Sequence, residues 1–98
     1  MEKLTGAQRR HLRSLANVIK SHIYIGKNGL SESVIAAIDE ALDFELVKIR
    51  FLEFKEQKKE LSERIENACR CEMVGMVGHV ALFYRQQADP QKRSIALP

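Results

Sequence analysis

Residues 26–29, Gly-Lys-Asn-Gly, lie between a short apolar run and the start of a helix. Glycine adopts positive φ readily and lets the backbone come close to a bulky partner. The first N–H groups of the helix, from residues 30–32, would then point toward the loop, at the positive end of the helix dipole, where phosphate groups bind. Lys27 adds a flexible cation and Asn28 adds a hydrogen-bond donor and acceptor. We therefore predict that this GKNG loop, together with Ser31, forms a phosphate-binding turn.

The sequence leaves two interpretations of the GKNG loop open. In the KH module a GXXG loop clamps a nucleic-acid backbone in this manner, but a tight strand-to-helix turn with a solvated lysine would have the same residues. The flanking strand and helix, and a basic first helix, favour nucleic-acid binding. A second Gly-x-x-Gly, residues 75–78, encloses Met76 and Val77 within a strand pattern. It indicates strand glycines at a bend or a close backbone approach, not a second binding loop.

Further cations could widen the contact surface. The first helix carries arginines away from its apolar stripe, with no acid in the helix to pair with them. Two more cations, Lys48 and Arg50, are two residues apart in a predicted strand and so share one of its faces. Both groups could instead be ordinary solvated surface. The predicted contact residues are Gly26, Lys27, Asn28, Gly29, Ser31, Arg9, Arg10, Arg13, Lys20, Lys48 and Arg50, and Arg85, Lys92 and Arg93 could extend them.

Composition limits the class of protein. The 98 residues correspond to one domain, with 45% apolar and 30% charged residues, as in an ordinary globular protein. The net charge of +3 suits an anionic partner without requiring one. No apolar run approaches the roughly 18 residues of a membrane span, and the first ten residues lack the apolar segment of a signal peptide. We expect a cytoplasmic protein.

Periodicity predicts three helices and four strands. Helices are expected over residues 5–20, 31–43 and 55–70, from apolar residues spaced three and four apart. Strands are expected over 22–25 and 45–52, and in the segments EMVGMV and HVALFYR. The order α-β-α-β-α-β-β predicts an α/β fold, a single compact domain with a four-stranded mixed sheet and a final hairpin. The domain spans residues 1–98, with a core of about 4–86 and a C-terminal tail of 87–98.

The sequence offers little for catalysis or metal binding. The cysteines, Cys69 and Cys71, have one residue between them and no matching Cys/His pair elsewhere, so we predict reduced thiols and no metal or other cofactor. The three histidines are scattered without a nucleophile-and-base order. We predict that the protein is not an enzyme.

Five segments in order resemble one known family. They are LTGAQRRHLRSLA, IYIGKNGLSESVIAAIDEAL, ELVKIRF, GHVALFYR and the end KRSIALP. Together they cover roughly residues 4–98 and are similar to the YhbY family, the stand-alone bacterial members of the CRM (chloroplast RNA splicing and ribosome maturation) domain group. The resemblance implies a fold similar to the C-terminal domain of bacterial translation initiation factor three. It places the family's GxxG loop on residues 26–29 and its basic helix surface on Arg9, Arg10 and Arg13.

The resemblance also implies a function. Family members bind RNA, and the bacterial ones are associated with precursors of the large ribosomal subunit. We therefore expect a monomeric, non-catalytic protein that binds ribosomal RNA during large-subunit assembly. The alternative is a ribosome-associated protein-interaction module without direct RNA contact, which would use an apolar patch such as Ile95 and Leu97.

Overall fold

The computed structural model describes residues 3–19 and 22–98. The predicted contact residue Lys20 lies outside the described residues. Within them, the structure has the predicted architecture: three α-helices and a four-stranded mixed sheet in a single compact domain. None of the described helices combines the length and apolar character needed to cross a bilayer.

The first helix is shorter than predicted. Helix α1 spans Gly6–Ser14 and begins at a capping box, in which the Thr5 side chain accepts from the Gln8 N–H and the Gln8 side chain accepts from the Thr5 N–H. The chain then tightens into a 3₁₀ turn, Leu15–Val18, rather than continuing as α-helix to residue 20. Asn17 and Val18 are weak helix formers, which favours this early end.

The remaining elements follow the predicted order, with small changes at their ends. The strands are β1 (His22–Ile25), β2 (Leu46–Phe51), β3 (Glu72–Val77) and β4 (Val80–Tyr84), and the other helices are α2 (Glu32–Ala41) and α3 (Lys58–Cys69). Helix α3 starts three residues later than predicted, because Phe54 is left-handed (φ 56°) and leads into a separate 3₁₀ turn.

The sheet order is β1-β2-β4-β3. Strand β2 runs parallel to β1 and antiparallel to β4, and β3 pairs antiparallel with β4. Strand β2 is therefore interior, with Tyr24 of β1 beside Arg50 and Val80 of β4 on its other side. This order brings the β3–β4 turn close to the residues that follow β2, although the two are about 25 residues apart in sequence.

Each face of the sheet has its own apolar cluster. Helices α2 and α3 cover one face, where Ile38 and Ile65 pack against the inward side chains of β2 and β4. On the other face Leu12 of α1 packs against Leu82 and Tyr84, and the tail residues Ile95 and Leu97 join this cluster. Lys48 and Arg50 point to that second face because Val47, Ile49 and Phe51 point to the first.

A buried carboxylate holds the tail. Glu45 is fully buried and adopts φ 78° between α2 and β2. Its oxygens accept from the N–H groups of Gln87 at 2.9 Å, Ser94 at 2.7 Å and Ile95 at 3.0 Å. The tail from residue 87 onward is therefore fixed against the domain by hydrogen bonds as well as by apolar packing.

Candidate nucleic-acid interface

The GKNG loop is a tight turn that exposes its polar residues. The Gly29 N–H donates to the Gly26 carbonyl oxygen at 2.9 Å, while Lys27 and Asn28 between them are exposed. Gly29 has φ 63°, and a Cβ there would come within 3.3 Å of the Phe54 ring. Neither constraint applies to Gly26, since its φ is not in the left-handed region and a Cβ there would have no heavy atom within 4 Å. The glycines thus differ: Gly29 is required by the backbone and by the ring, whereas Gly26 leaves open space beside the loop.

The start of α2 is open to an anion only in part. Ser31 is the N-cap of α2, and its hydroxyl accepts from the Val34 N–H at 3.3 Å. Its hydroxyl is therefore engaged within the helix cap. Among the described residues, the N–H groups of Glu32 and Ser33 donate to no other group. The Glu32 carboxylate, in the first turn, opposes an anion at the same place.

A cleft beside the GKNG loop introduces residues that the sequence did not suggest. Lys27 lines this loop cleft, of about 500 Å³, together with the segment 52–57 that follows β2. Phe54 in that segment is 42% exposed and packs against Gly29. Lys55 contributes a second cation, and Glu53 and Glu56 contribute acids. The cleft therefore offers an aromatic surface next to Lys27 in a field of mixed charge.

Lys58 at the start of α3 contacts the β3–β4 turn next to this cleft. The Lys58 ammonium donates to the Gly78 carbonyl oxygen at 2.6 Å and to Nδ1 of His79 at 3.1 Å. Because an ammonium group can only donate, Nδ1 must be the acceptor and the ring is neutral in this arrangement. Desolvation and the nearby charges of Lys58, Lys55 and Arg50 lower the pKa of His79 below its usual 6.5.

A groove on the second face of the sheet continues the positive surface. This sheet groove, of about 500 Å³, lies between α1 and strands β2, β3 and β4. Its cationic side chains are Arg13, Lys48 and Arg50, His79 also lines it, and none of the described lining residues is an acid. Val80 and Leu82 contribute apolar side chains. The predicted contacts Lys48 and Arg50 thus lie beside Arg13.

We call the connected set the basic band. Lys27 and Lys55 share the loop cleft, and Arg50 and Arg13 share the sheet groove. The charges of Lys55 and Arg50 both lower the pKa of His79, which links the two. Its residues are Lys27, Lys55, Lys58, His79, Arg50, Lys48 and Arg13. Within the part of the chain that the structure describes, none of these side chains forms an ion pair with an acid.

The predicted arginines of α1 have different surroundings. Arg9 forms an ion pair with Glu72 of β3 at 2.6 Å, so its charge is already balanced by an acid outside the helix. Arg10 is exposed. Arg13 donates from Nη1 to the Val74 carbonyl oxygen at 3.0 Å and so lies across β3. Of the three, Arg13 is the one that joins the sheet groove.

Arg85 does not extend the band. Its guanidinium bonds Asp39 at 2.6 Å and the Cys69 carbonyl oxygen at 2.9 Å, and a second ion pair reaches Asp43 at 3.4 Å. These contacts tie the end of β4 to α2 and α3. The Arg85 charge is therefore balanced by acids within the fold.

The cysteines are buried free thiols. Burial raises the pKa of Cys69, and it raises the pKa of Cys71 to about 12, so neither is a thiolate near neutral pH. Among the described residues, no group of three or more His, Cys, Asp or Glu side chains is placed to hold a metal ion.

The comparison with protein families decides the classification. The model of the CRS1/YhbY (CRM) domain matches residues 4–85. The chain belongs to the CRM family. The resemblance seen in the sequence is therefore confirmed.

CRM relatives of known name match most of the chain. The protein named probable RNA-binding protein YqeI of Bacillus subtilis is 32% identical over 97 residues, covering 97% of this chain and 99% of its own. A probable RNA-binding protein of Methanocaldococcus jannaschii is 37% identical over 94 residues, covering 92% of this chain and 69% of its own. A solution structure from Staphylococcus aureus, described as a hypothetical protein and candidate RNA-binding protein, has 40% identity and a TM-score of 0.79 over 98% of this chain.

Sequence reasoning missed Phe54, Lys55, Lys58 and His79. Lys55 and Lys58 fell in a predicted helix of mixed charge, and His79 looked like one of three scattered histidines. These residues come together only through the order of the strands. Because β4 lies beside β2, the β3–β4 turn meets the segment after β2. No local pattern in the sequence could have joined them.

Proposed function

We propose that this CRM protein binds RNA through the basic band, without catalysing a reaction on it. The observation that supports this most directly is the run of cations from Lys27 to Arg13 that has no acidic partner among the described residues. Two cations off the band, Arg9 and Arg85, are by contrast paired with acids. Unpaired cations on one connected surface suit a polyanion, since each can neutralise a phosphate and release its counterion.

The GKNG loop is the part of the band that we assign to the RNA backbone. Lys27 and Asn28 are exposed at the tip of a turn whose shape is set by Gly29. Among the described residues, the N–H groups of Glu32 and Ser33 at the start of α2 have no acceptor, and a phosphate could accept from them. Glu32 weakens this arrangement, so Lys27 carries most of the attraction in our proposal.

We further propose that the RNA is ribosomal, in a precursor of the large subunit, and that the protein acts in the cytoplasm as an assembly factor. The support is the family: CRM resemblance implies this role for stand-alone bacterial members, and three similar proteins carry RNA-binding names or descriptions. The predicted contacts Arg9 and Arg10, which lie off the band, stay predictions, and so does Lys20, which is outside the described residues.

The protein-interaction alternative has less support. It would rely on Ile95 and Leu97 as an apolar patch for a partner. Both pack against the cluster around Leu12 and Tyr84, on a tail that Glu45 holds in place. Their apolar surface is thus already used within the domain.

A titration tests the proposal. The protein and the double variant Lys27→Asp/Asn28→Asp are titrated with large-subunit ribosomal RNA fragments at low and moderate salt, and folding is checked by circular dichroism. The matched control is Arg64→Asp/Asn67→Asp, which makes the same charge change at exposed positions of α3.

We expect the loop variant to lose most of its affinity and the control to lose little. We also expect the wild-type affinity to fall with salt, because log K decreases by about 0.7 to 0.9 per neutralised phosphate for each unit of log salt. Equal losses in both variants would mean that only net charge matters. If the loop variant binds as tightly as wild type, the GKNG loop is a structural turn and does not contact the RNA.

A further inference from the structure

The sheet groove combines two chemical features that occur together in few ligands. Its rim is cationic, from Arg13, Lys48 and Arg50, and its lining holds no acid among the residues that the structure describes. The lining also includes the apolar side chains of Val77, Val80 and Leu82, which we call the floor, and Val77 is 82% exposed. An anion alone would leave the apolar floor in contact with water, and an apolar ligand alone would leave the cations unpaired.

A nucleotide has both complementary features. Its base presents a flat, weakly hydrated face to an apolar floor, and its phosphates bear the negative charge that the rim requires. The groove volume of about 500 Å³ lies within the range of ligand pockets, roughly 300 to 1,000 Å³. A paired base is inaccessible inside a duplex, whereas an unpaired base can be splayed into a protein pocket.

The rim is also held in place before any ligand arrives. Arg13 is tied to the Val74 carbonyl oxygen and crosses β3 at Gly75, where the absence of a Cβ makes room for its side chain. Lys48 is half-buried on the interior strand β2, so its stem is supported by the sheet. A preorganised rim loses less side-chain entropy when phosphate binds.

We propose that the sheet groove takes an unpaired nucleotide of single-stranded RNA, with its base against Val77 and Val80 and its phosphates on Arg13, Lys48 and Arg50. This inference rests on the proposed function and adds to it a preference for RNA that offers an unpaired base. The GKNG loop then holds the backbone at one end of the basic band, and the groove holds a base at the other.

The test uses two RNAs and two matched variants. One RNA is a hairpin with a fully paired stem, and the other is the same hairpin with a single-stranded 3′ extension. Val77→Glu places an acid at the groove edge, and Val18→Glu makes the same change at a valine that is 72% exposed outside the groove lining. Affinity is measured by titration, and backbone amide shifts of ¹⁵N-labelled protein locate the contact.

We expect the extended hairpin to bind more tightly than the paired one and to shift the amides of residues 75–80. Val77→Glu should lower affinity for the extended hairpin about tenfold, the scale of one unfavourable charge contact, with little change for the paired hairpin. Val18→Glu should change neither. Circular dichroism and the amide spectrum show whether each variant is folded.

Three results would overturn the inference. If both hairpins bind equally and the amides of residues 75–80 stay unshifted while those of the loop move, RNA binding stands and the groove assignment fails. If neither RNA binds, the proposed function itself fails. If RNA leaves the groove unshifted but a poly-glutamate peptide shifts it, the occupant is an acidic protein segment.

Discussion

Arg13 on α1 lies against Gly75 on β3 so closely that a side chain at residue 75 would collide with it. A Cβ built on Gly75 would be 2.7 Å from Cδ of Arg13 and 3.0 Å from its Cγ. The Arg13 guanidinium donates to the Val74 carbonyl oxygen next to this point. The glycine in the strand pattern is therefore explained by a close approach, and the residue that approaches belongs to the basic band.

We predict that Gly75→Ala weakens RNA binding by displacing Arg13. Loss of one phosphate contact should lower affinity about threefold at moderate salt. The measurement is a double-mutant cycle with Arg13→Ala: if Gly75 acts through Arg13, adding Gly75→Ala to Arg13→Ala should have no further effect on RNA affinity. Additive losses in the cycle would show that Gly75 acts by another route. Gly6→Ala, where a Cβ would meet no heavy atom within 4 Å, is the control.

Replacing the two glycines of the GKNG loop should change the free energy of unfolding by different amounts. Gly29→Ala should lower the free energy of unfolding by about 1 to 2 kcal/mol, because alanine is strained at φ 63° and its Cβ would press on the Phe54 ring. Gly26→Ala should change it by less than about 1 kcal/mol, since that position has neither constraint. Urea unfolding at neutral pH measures both. Equal losses would mean that the turn requires both glycines for its shape.

Local features of the fold could be predicted from the sequence. The four strands depend on neighbouring residues, and each was placed within a few positions. The capping box at Thr5 and the N-cap at Ser31 likewise involve only residues close in sequence. Helix α1 was predicted too long because Leu15 and Ile19 continue its apolar spacing. They do pack against the second cluster, but from a 3₁₀ turn and the residue after it.

The arrangement of the candidate site could be predicted only in part. The GKNG loop is a continuous segment, so its exposure followed from the sequence. The ion pair of Arg9 could not be predicted, because its partner Glu72 is 63 residues away and contacts it only when α1 lies against β3. The contact between Lys58 and His79 likewise depends on the order of strands, which composition and periodicity do not determine.

We predict that Glu45→Gln releases the C-terminal tail. Burial raises the pKa of Glu45, but the N–H groups of Gln87, Ser94 and Ile95 donate to the carboxylate and together hold the pKa below its usual 4.5. An amide in its place would turn an NH₂ group toward these donors, at a cost of about 1 to 3 kcal/mol in the free energy of unfolding. Limited proteolysis should then cut the tail faster than in wild type.

The same carboxylate gives a pH dependence of known sign. Because the folded-state pKa is lower than the unfolded one, this contribution to stability is complete above pH 4.5 and is lost as the pH falls through the folded-state pKa. Wild type should therefore lose more stability on acidification than Glu45→Gln. Glu40→Gln, at an exposed position of α2, is the control. A tail as protected in Glu45→Gln as in wild type would contradict the role of this carboxylate.

RNA affinity should rise as the pH falls below about 6.5, through His79. In the free protein, desolvation and the charges of Lys58, Lys55 and Arg50 lower the pKa of this histidine, so its ring is neutral near pH 7. A phosphate bound in the basic band would favour the protonated ring and raise that pKa, so binding would take up a proton.

By linkage, uptake of a proton makes binding tighter at lower pH, and we expect affinity at pH 5.5 to exceed that at pH 7.5 by about threefold. His79→Gln should lose this dependence, whereas His11→Gln on α1 should keep it. Affinity is measured at constant ionic strength across the range, with circular dichroism at each pH to confirm folding. If His79→Gln and wild type have the same pH profile, His79 does not contact phosphate, and the loop cleft and the sheet groove are not joined through the β3–β4 turn.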